Sequence, residues 1–346
     1  MDVSILILTV GILVILQAVL PFMVKRTVVF GVTVPVAEVR NPQLVRYKIM
    51  YTVLSSSLSL VILAAFLFSP TRTNPVLLAL LLPFIILFIS MALFFFFQSK
   101  VTKLKKAERW FKDQKQVHVT ELNIRAQDEM LPLSIFIIPM LITFGLIAFT
   151  VVNFGAFPDP LPTHWGPDGQ PDAWTDKTYL SVLILPIISL CLNAMFIGIN
   201  EMTKRSGIKL SAGNIPASKA RQLKLRKYSS WLLFFVSVAT TILFTFLQYT
   251  TVNPEKIDGL ALIVAPLGFS ALVTIAAIAL AVKVGMKDSD LDSDVIVVVD
   301  ETTVNFDDDR YWKGGLIYFN SEDPSIFVEK RFGIGFTLNF AHPLDM

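Results

Sequence analysis

The side chains with the richest chemistry lie in one proline-dense segment, residues 158–177. It holds one histidine, two tryptophans and four aspartates, namely His164, Trp165, Trp174, Asp159, Asp168, Asp172 and Asp176. A histidine among carboxylates is one kind of ligand set for a divalent cation. The acidic spacing fits no EF-hand, however, and one imidazole is a small contribution to such a site. We therefore predict no metal here.

The same segment has two further interpretations, and the residues alone leave both open. Five prolines and two glycines within 158–171 impose several turns. In the first interpretation, the tryptophans anchor a compact loop at a membrane interface and His164 is a hydrogen-bonding tie. In the second, the loop is a recognition surface for an external ligand or peptide, because tryptophan is a frequent binding anchor.

Signatures of catalysis are missing elsewhere in the sequence. There is no HExxH metalloprotease motif, no P-loop and no nucleophile elbow. Cys191 is the single cysteine, so no intramolecular disulfide can form. We expect a protein that is not an enzyme, that uses no cofactor and that does not bind nucleic acid.

The elements that must position this segment are long apolar runs without Asp, Glu, Lys or Arg. An uncharged run of about 20 residues can cross a bilayer core as a helix. Seven such runs predict an all-α polytopic membrane protein with seven transmembrane helices. The runs are Val3–Val24, Ile49–Thr71, Thr73–Ser99, Met130–Pro158, Thr178–Asn200, Tyr228–Pro254 and Gly259–Val282.

The charges between the runs predict an orientation. The gaps 25–48, 100–129, 201–227 and 283–287 hold 23 Lys and Arg residues, whereas the alternate gaps hold three. Basic residues near span ends mark the cytoplasmic side. The N-terminus is therefore expected outside, the loop 158–177 outside and the C-terminus inside. The spans carry no acidic or basic residue, which disfavours an ion-coupled transporter.

The chain changes character after the last run. Residues 288–346 hold thirteen acidic and four basic residues, with strand-like patterns at 295–299, 315–319 and 325–340. We predict two parts, a transmembrane domain at 1–287 and an acidic, β-rich cytoplasmic module at 288–346. Its acidic residues favour docking against the basic loops.

The outer loop carries a family resemblance. Its motif residues are Pro162, His164, Trp165, Gly169, Pro171, Asp172, Trp174 and Lys177. This pattern resembles a bacterial domain of unknown function that occurs in SdpI-like immunity proteins. The resemblance implies a multi-pass protein of the bacterial cell membrane that protects the cell from a secreted killing peptide. The best-known relative also recruits a transcriptional repressor, which implies a cytoplasmic regulator as a partner.

The end of the chain resembles a second uncharacterised family. The residues that carry this likeness are Tyr311, Trp312, Lys313, Gly315, Tyr318, Asn320, Lys330, Arg331, Gly333 and Gly335. No activity follows from this resemblance.

These observations favour a non-enzymatic membrane sensor or immunity-type protein whose external loop recognises a ligand. One alternative is an uncoupled transporter or flippase component for a neutral or lipidic solute. Another is a membrane scaffold that binds a cytoplasmic partner through its tail.

Overall fold

The computed structural model describes most of the chain. The described ranges are 3–22, 27–68, 75–111, 115–117, 122–166, 170–208, 215–253, 259–285, 303–305, 308–323, 325–331 and 335–341. Within them the protein is mostly helical. The helices are α1 (Val3–Val19), α2 (Pro42–Leu67), α3 (Pro75–Ala107), α4 (Leu133–Val152), α5 (Tyr179–Arg205), α6 (Ile215–Val252) and α7 (Gly259–Gly285).

Ten short strands pair two by two in the described part of the chain. All pairs are antiparallel except β3–β6, which is parallel. The strands are β1 (Val28–Val29), β2 (Val32–Thr33), β3 (Lys115–Val117), β4 (Leu161–Trp165), β5 (Pro171–Thr175), β6 (Thr303–Asn305), β7 (Trp312–Lys313), β8 (Ile317–Tyr318), β9 (Phe327–Glu329) and β10 (Phe336–Leu338). The predicted strand at 295–299 lies outside the described residues.

Six of the described helices, α2 to α7, are long and apolar enough to cross a membrane, with mean hydropathies from 2.0 to 2.6. The protein is therefore a multi-pass membrane protein whose environment is a lipid bilayer. Helix α1 is shorter, at 17 residues. It is about 25 Å long, less than the ~30 Å of a hydrocarbon core. It gives way to a 3₁₀ turn at Leu20–Phe22, where Pro21 lacks an amide donor.

Prolines lie inside four of the helices. They are Pro83 in α3, Pro139 in α4, Pro186 in α5 and Pro266 in α7. Each helix continues past its proline, as the uninterrupted apolar runs predict. By contrast, α2 begins at Pro42, seven residues before its apolar run. There, proline occupies the first helical turn and the Asn41 side chain accepts from Gln43 N at 2.9 Å.

The chain divides into two compact units. Unit 1 comprises residues 1–121, 206–221 and 285–346, and unit 2 comprises 122–205 and 222–284. Unit 1 therefore combines α1, α2 and α3 with the C-terminal strands. Unit 2 contains α4, α5, α7 and most of α6, together with the segment 158–177.

The core of unit 1 is built around the β1–β2 turn. Its two turn residues, Phe30 and Gly31, both have positive φ, at 47° and 75°. This is the sign that a two-residue hairpin turn requires, and it is costly for phenylalanine. Phe30 is 1% exposed and packs against Tyr51, Phe94 and Phe97, with ring centroids 5.4 to 5.8 Å apart. These contacts stabilise the strained residue.

The core of unit 2 contains a polar seam that runs along three helices. Buried polar residues recur at intervals of four and seven, which keeps them on one face of each helix. They are Thr143 and Thr150 on α4, Ser189, Asn193 and Asn200 on α5, and Ser230, Ser237, Thr241 and Gln248 on α6. Such side chains stabilise membrane bundles through interhelical hydrogen bonds.

Asn193 lies at the middle of this seam and is fully buried. Its Nδ2 donates to Thr143 Oγ1 and to Thr241 Oγ1, each at 3.0 Å, and its Oδ1 accepts from Ser237 Oγ at 2.5 Å. One amide therefore joins α4, α5 and α6. Asn200 makes a similar junction, because Ser230 Oγ donates to it at 2.6 Å and it donates to Leu131 O at 3.2 Å.

Replacing this amide tests the seam. We expect Asn193→Leu to lower the free energy of unfolding by about 2 kcal/mol, because interhelical hydrogen bonds contribute about 0.6 kcal/mol each and up to about 1.7. Unfolding in mixed detergent–SDS micelles measures this. The control is Asn153→Leu, since the Asn153 amide donates to Phe149 O of its own helix. Equal losses in the two variants would contradict a special role for Asn193.

Candidate functional site

Two arms of the segment 158–177 pair as strands between α4 and α5, and together they are called the β4–β5 hairpin. Strands β4 and β5 pair antiparallel, with register shifts around His164. Beyond the strands, Gly166 N donates to Gln170 O at 2.8 Å. The predicted turns involve residues 167–169, which lie outside the described residues, so they stay a prediction. The described arms are more regular than a plain loop because they form a β-ladder.

His164 pairs with Ala173 in the strand register, and its side chain reaches the adjacent Asp172. His164 Nδ1 forms a hydrogen bond with Asp172 Oδ1, and both side chains are more than half exposed. This contact ties β4 to β5, as the first interpretation of the loop expects for His164. An exposed pair of this kind contributes little to stability.

Hydrogen bonds fix the base of the hairpin to the segment after α4 and cap the start of α5. Lys177 Nζ donates to Phe157 O at 2.6 Å and lies 5.1 Å from the Phe154 ring centroid. Thr178 and Ser181 cap α5 reciprocally: Thr178 N donates to Ser181 Oγ at 2.8 Å, and Ser181 N donates to Thr178 Oγ1 at 3.1 Å. These hydrogen bonds therefore fix the chain on both sides of the β4–β5 hairpin.

A cavity of about 350 Å³ lies between this hairpin and the helices of unit 2. Its lining is mostly apolar with a few polar groups, the usual composition of small-molecule sites. The residues that line it are Phe157, Leu161, Pro162, Thr163, His164, Trp165, Ser181, Val182, Ile184, Leu185, Leu247, Gln248, Thr251, Leu262 and Pro266.

The hairpin separates the predicted site residues into two groups. Pro162, His164 and Trp165, all on β4, line the cavity. Pro171, Asp172 and Trp174 lie on β5 and are not among the lining residues, and Trp174 is 54% exposed. Lys177 supports the base, as described above. Gly169 lies outside the described residues.

No three His, Cys, Asp or Glu side chains come close enough to hold a metal ion among the residues that the structure describes. Asp168, one of the four loop carboxylates, lies outside them.

Sequence reasoning missed the helical walls of the cavity. Gln248, a polar residue within an apolar run, contributes a polar group to the cavity and is 2% exposed. Val182, Leu185 and Leu247 gave no signal, because they resemble every other residue of an apolar run. The spacing of Gln248 seven residues after Thr241 was the available clue to its inward-facing position.

A buried ion pair in unit 2 was also missed. Arg226 is 1% exposed and donates to Asp128 Oδ2 at 2.6 and 2.8 Å and to Lys204 O at 2.9 Å. The pair joins the start of the α6 apolar run to the segment before α4. Its sequence signal is modest: Asp128–Glu129 and Arg226–Lys227 each directly precede an apolar run, and Lys227 also pairs with Glu129.

The predicted tail motif forms a second cluster, within unit 1. Arg331 is 6% exposed, pairs with Asp308 and Asp309, and donates to Gly31 O at 2.9 Å. Asp309 also accepts from Lys105 Nζ at 2.5 Å and from Thr33 at 2.9 and 3.1 Å. The expected docking of acidic tail residues onto basic loop residues is thus observed for Asp309.

A second ion pair holds the tail to the start of α6. Arg221 Nη2 lies 2.5 Å from Glu329 Oε1. Nearby, Gly207 N donates to Ser325 Oγ and Ser206 Oγ accepts from Phe327 N, each at 3.2 Å. Four separate parts of unit 1 therefore meet at the tail: the β1–β2 hairpin, the end of α3, residues 206–207 and Arg221.

The remaining tail motif residues shape this cluster. Trp312 and Tyr318 pack with ring centroids 5.0 Å apart, and Asn320 Nδ2 donates to Tyr318 Oη at 3.1 Å. Tyr311 also packs against Tyr318, with ring centroids 6.2 Å apart, and Lys330 N donates to Gly335 O at 2.8 Å. Lys313 and Lys330 are exposed. Gly333 lies outside the described residues.

Gly315 has a specific steric role. A Cβ built on Gly315 would lie 2.8 Å from Gly31 Cα, and one built on Gly31 would lie 2.7 Å from Gly315 Cα. Both residues have positive φ. Two backbones therefore meet at a distance that only glycine permits.

Comparison with protein-family models gives two short matches. Residues 135–190 match a domain of unknown function, DUF1648. Residues 321–344 match a family of unknown function, DUF5808. No curated protein and no solved structure matches the chain. The first match spans most of α4, the β4–β5 hairpin and the start of α5, and the second includes β9 and β10. Neither description assigns an activity, so the resemblance to SdpI-like proteins stays a prediction.

Substitution of Arg331 tests the tail cluster. We expect Arg331→Ala to destabilise tail docking by about 3 kcal/mol, because it leaves Asp308 and Asp309 without their buried partner. Hydrogen exchange should then accelerate in residues 308–331 and in the β1–β2 hairpin. The control is Lys330→Ala, a neighbouring exposed cation. Similar exchange in both variants would show that the ion pairs do not hold the tail.

The charge state of Asp309 predicts a pH dependence. Burial raises the pKa of Asp309, but the charges of Arg331 and Lys105 and the hydrogen bonds from Lys105 and Thr33 outweigh it, so the pKa lies below the ordinary value of 3.8. A depressed carboxyl pKa contributes stability above the unfolded-state value of about 3.9, and this contribution is lost as pH falls through the folded value.

We therefore expect the tail to stay docked from pH 8 to about pH 4 and to loosen below that. Trp312, 8% exposed, is a suitable fluorescent reporter once the other tryptophans are replaced by phenylalanine. Its emission should shift red only in the acid range. A complete shift by pH 6 would contradict the assignment. In Asp309→Asn the acid transition should be reduced and the tail destabilised already at neutral pH.

Proposed function

We propose that this protein is a non-enzymatic membrane sensor or immunity-type protein that binds a ligand at the β4–β5 hairpin. The observation that carries the proposal is the cavity of about 350 Å³ beneath the hairpin, which His164 and Trp165 help to line. A compact anchoring loop alone has no need of such a cavity. A recognition site needs one, with polar groups that orient the ligand.

The hairpin has the construction of a positioned binding element. Lys177 holds its base to Phe157 in the segment after α4, and the Thr178–Ser181 cap fixes the start of α5. His164 and Asp172 tie its two strands. Pre-ordering of this kind reduces the entropy lost when a ligand binds. Trp165 is half-buried at the cavity, the usual situation of an aromatic anchor.

The proposal includes an orientation. The chain is proposed to cross a bacterial cell membrane seven times, with α1 as the first span, the N-terminus outside and the C-terminus inside. The concentration of Lys and Arg in alternate gaps supports this arrangement. The β4–β5 hairpin then faces the exterior and the tail cluster faces the cytoplasm.

The proposed ligand belongs to the class that the motif resemblance implies. SdpI-like immunity proteins protect cells from a secreted peptide, and the motif residues Pro162, His164 and Trp165 line the cavity here. The tail, docked on the loops of unit 1, is the proposed contact for a cytoplasmic regulator.

A matched pair of variants in the native host tests the proposed function. The double variant His164→Ala with Trp165→Ala removes lining side chains, whereas Trp174→Ala removes an exposed tryptophan from the opposite strand. We expect the double variant to raise sensitivity to envelope-active peptides about ten-fold, the effect of losing about 1.4 kcal/mol of binding. Trp174→Ala should behave like wild type. Unchanged sensitivity of the double variant at normal protein levels would contradict the proposal.

Labelling of single cysteines tests the orientation separately. In a Cys191→Ser background, Thr163→Cys should react with a membrane-impermeant maleimide on intact cells. Lys313→Cys, which is also exposed, should react only after permeabilisation. The reverse pattern would place the hairpin in the cytoplasm and remove the basis for an external ligand.

A further inference from the structure

The cavity beneath the β4–β5 hairpin carries no charged group suited to a charged ligand. Of the described residues that line it, His164 is the one with an ionisable side chain. Its Nδ1 is already engaged by Asp172. An ammonium or carboxylate that entered would therefore lose its hydration without gaining an opposite charge, which is strongly unfavourable. The cavity selects for an uncharged ligand.

Gln248 adds a specific polar feature to this lining. Its Nε2 donates to Val182 O at 2.7 Å and to Thr150 Oγ1 at 3.0 Å. Because a main-chain carbonyl can only accept, the first contact fixes which amide atom is the nitrogen. The oxygen, Oε1, receives no hydrogen bond from the part of the chain that the structure describes. An amide oxygen is thus left available at a buried residue of the cavity.

The neighbouring hydroxyl groups have already used their protons. Thr251 Oγ1 donates to Leu247 O at 2.8 Å, and Ser181 Oγ donates to Asp176 O at 2.9 Å. Neither is a ready donor to a ligand, although the Thr251 oxygen can still accept. The polar groups of these two helices therefore present acceptors, and a ligand that bonds to them must bring the donor.

We propose that the cavity binds a small uncharged amphiphile, an aliphatic chain ending in a hydroxyl or amide N–H that donates to Gln248 Oε1. The aliphatic part of the ligand packs against Val182, Leu185, Leu247 and Leu262, which supply apolar surface from three helices. This inference rests on the proposed role of the cavity as the recognition site. It adds the chemistry of the ligand, which applies equally to a free amphiphile and to the neutral acyl part of a larger molecule.

Photolabelling of the full chain in lipid nanodiscs tests the proposal. The probe is 1-octanol with a diazirine in its chain, and labelled residues are mapped by mass spectrometry. We expect saturable labelling of cavity residues on α5, α6 and α7. Unlabelled octanol should compete, and methyl heptyl ether, which has the same heavy atoms but no donor, should compete about five-fold less well, as expected for one hydrogen bond of about 1 kcal/mol.

Charged analogues test whether the cavity selects for an uncharged ligand. Octanoate and octylammonium should compete at least ten-fold less well than octanol, since neither finds an opposite charge. Equal competition by the charged probes, or by the ether, would overturn the proposal. So would labelling that does not saturate and that marks lipid-facing residues equally.

Variants of α5 show whether the label enters the cavity. Leu185→Trp fills part of it and should reduce labelling at least five-fold, whereas Ile188→Trp changes an exposed position of the same helix that does not line the cavity. Equal labelling of the two variants would contradict cavity binding. Because the readout compares ligands on the unmodified chain as well, a poorly folded variant leaves the test intact.

A last experiment distinguishes a free amphiphile from bilayer lipid as the source of the ligand's aliphatic group. A phospholipid with a diazirine in its acyl chain should not label the cavity while octanol competes for it. If the phospholipid labels the cavity and octanol fails to displace it, the occupant is bilayer lipid and the donor-bearing amphiphile is excluded. Host sensitivity that depends on Trp165, combined with no octanol labelling, would refute this inference and leave the proposed function standing.

Discussion

A polar side chain inside hydrocarbon has no water to bond, and the architecture of unit 2 depends on that constraint. Asn193 satisfies its amide with Thr143, Ser237 and Thr241, and through them α4, α5 and α6 share one hydrogen-bonded core. Apolar packing alone would leave these helices free to rotate against one another, because lipid tails are equally apolar. The seam therefore specifies which faces meet, and it continues to Gln248, where the cavity begins.

The membrane-spanning elements could be predicted from the sequence because an uncharged apolar run of about 20 residues is long enough to cross the bilayer core as a helix. The strand pattern of the tail was predicted at 325–340, where β9 and β10 pair. The cavity could not be predicted in this way. Its walls come from α5, α6 and α7, and residues such as Leu185 and Leu247 differ from their lipid-facing neighbours only by the partner helix they meet.

In the two charged clusters, likewise, the sequence does not predict which residues pair. Sequence predicted that acidic tail residues would meet basic loops, since opposite charges attract. It gave no means to select Asp309 for Lys105 or Arg221 for Glu329, because those pairs depend on the fold of the tail. The pairing of Arg226 with Asp128 could not be predicted, because both residues lie just outside apolar runs, where charges are ordinarily solvated. Burial, which only the structure supplies, distinguishes them.

The contact between Gly31 and Gly315 has a consequence for the order of assembly. Gly31 in the β1–β2 turn is translated before its partner Gly315, and 300 residues before Arg331, which bonds to Gly31 O. The tail therefore completes a site that the β1–β2 turn begins. Until the tail is synthesised, Gly31 and Lys105 lack the contacts that Gly315, Asp309 and Arg331 provide.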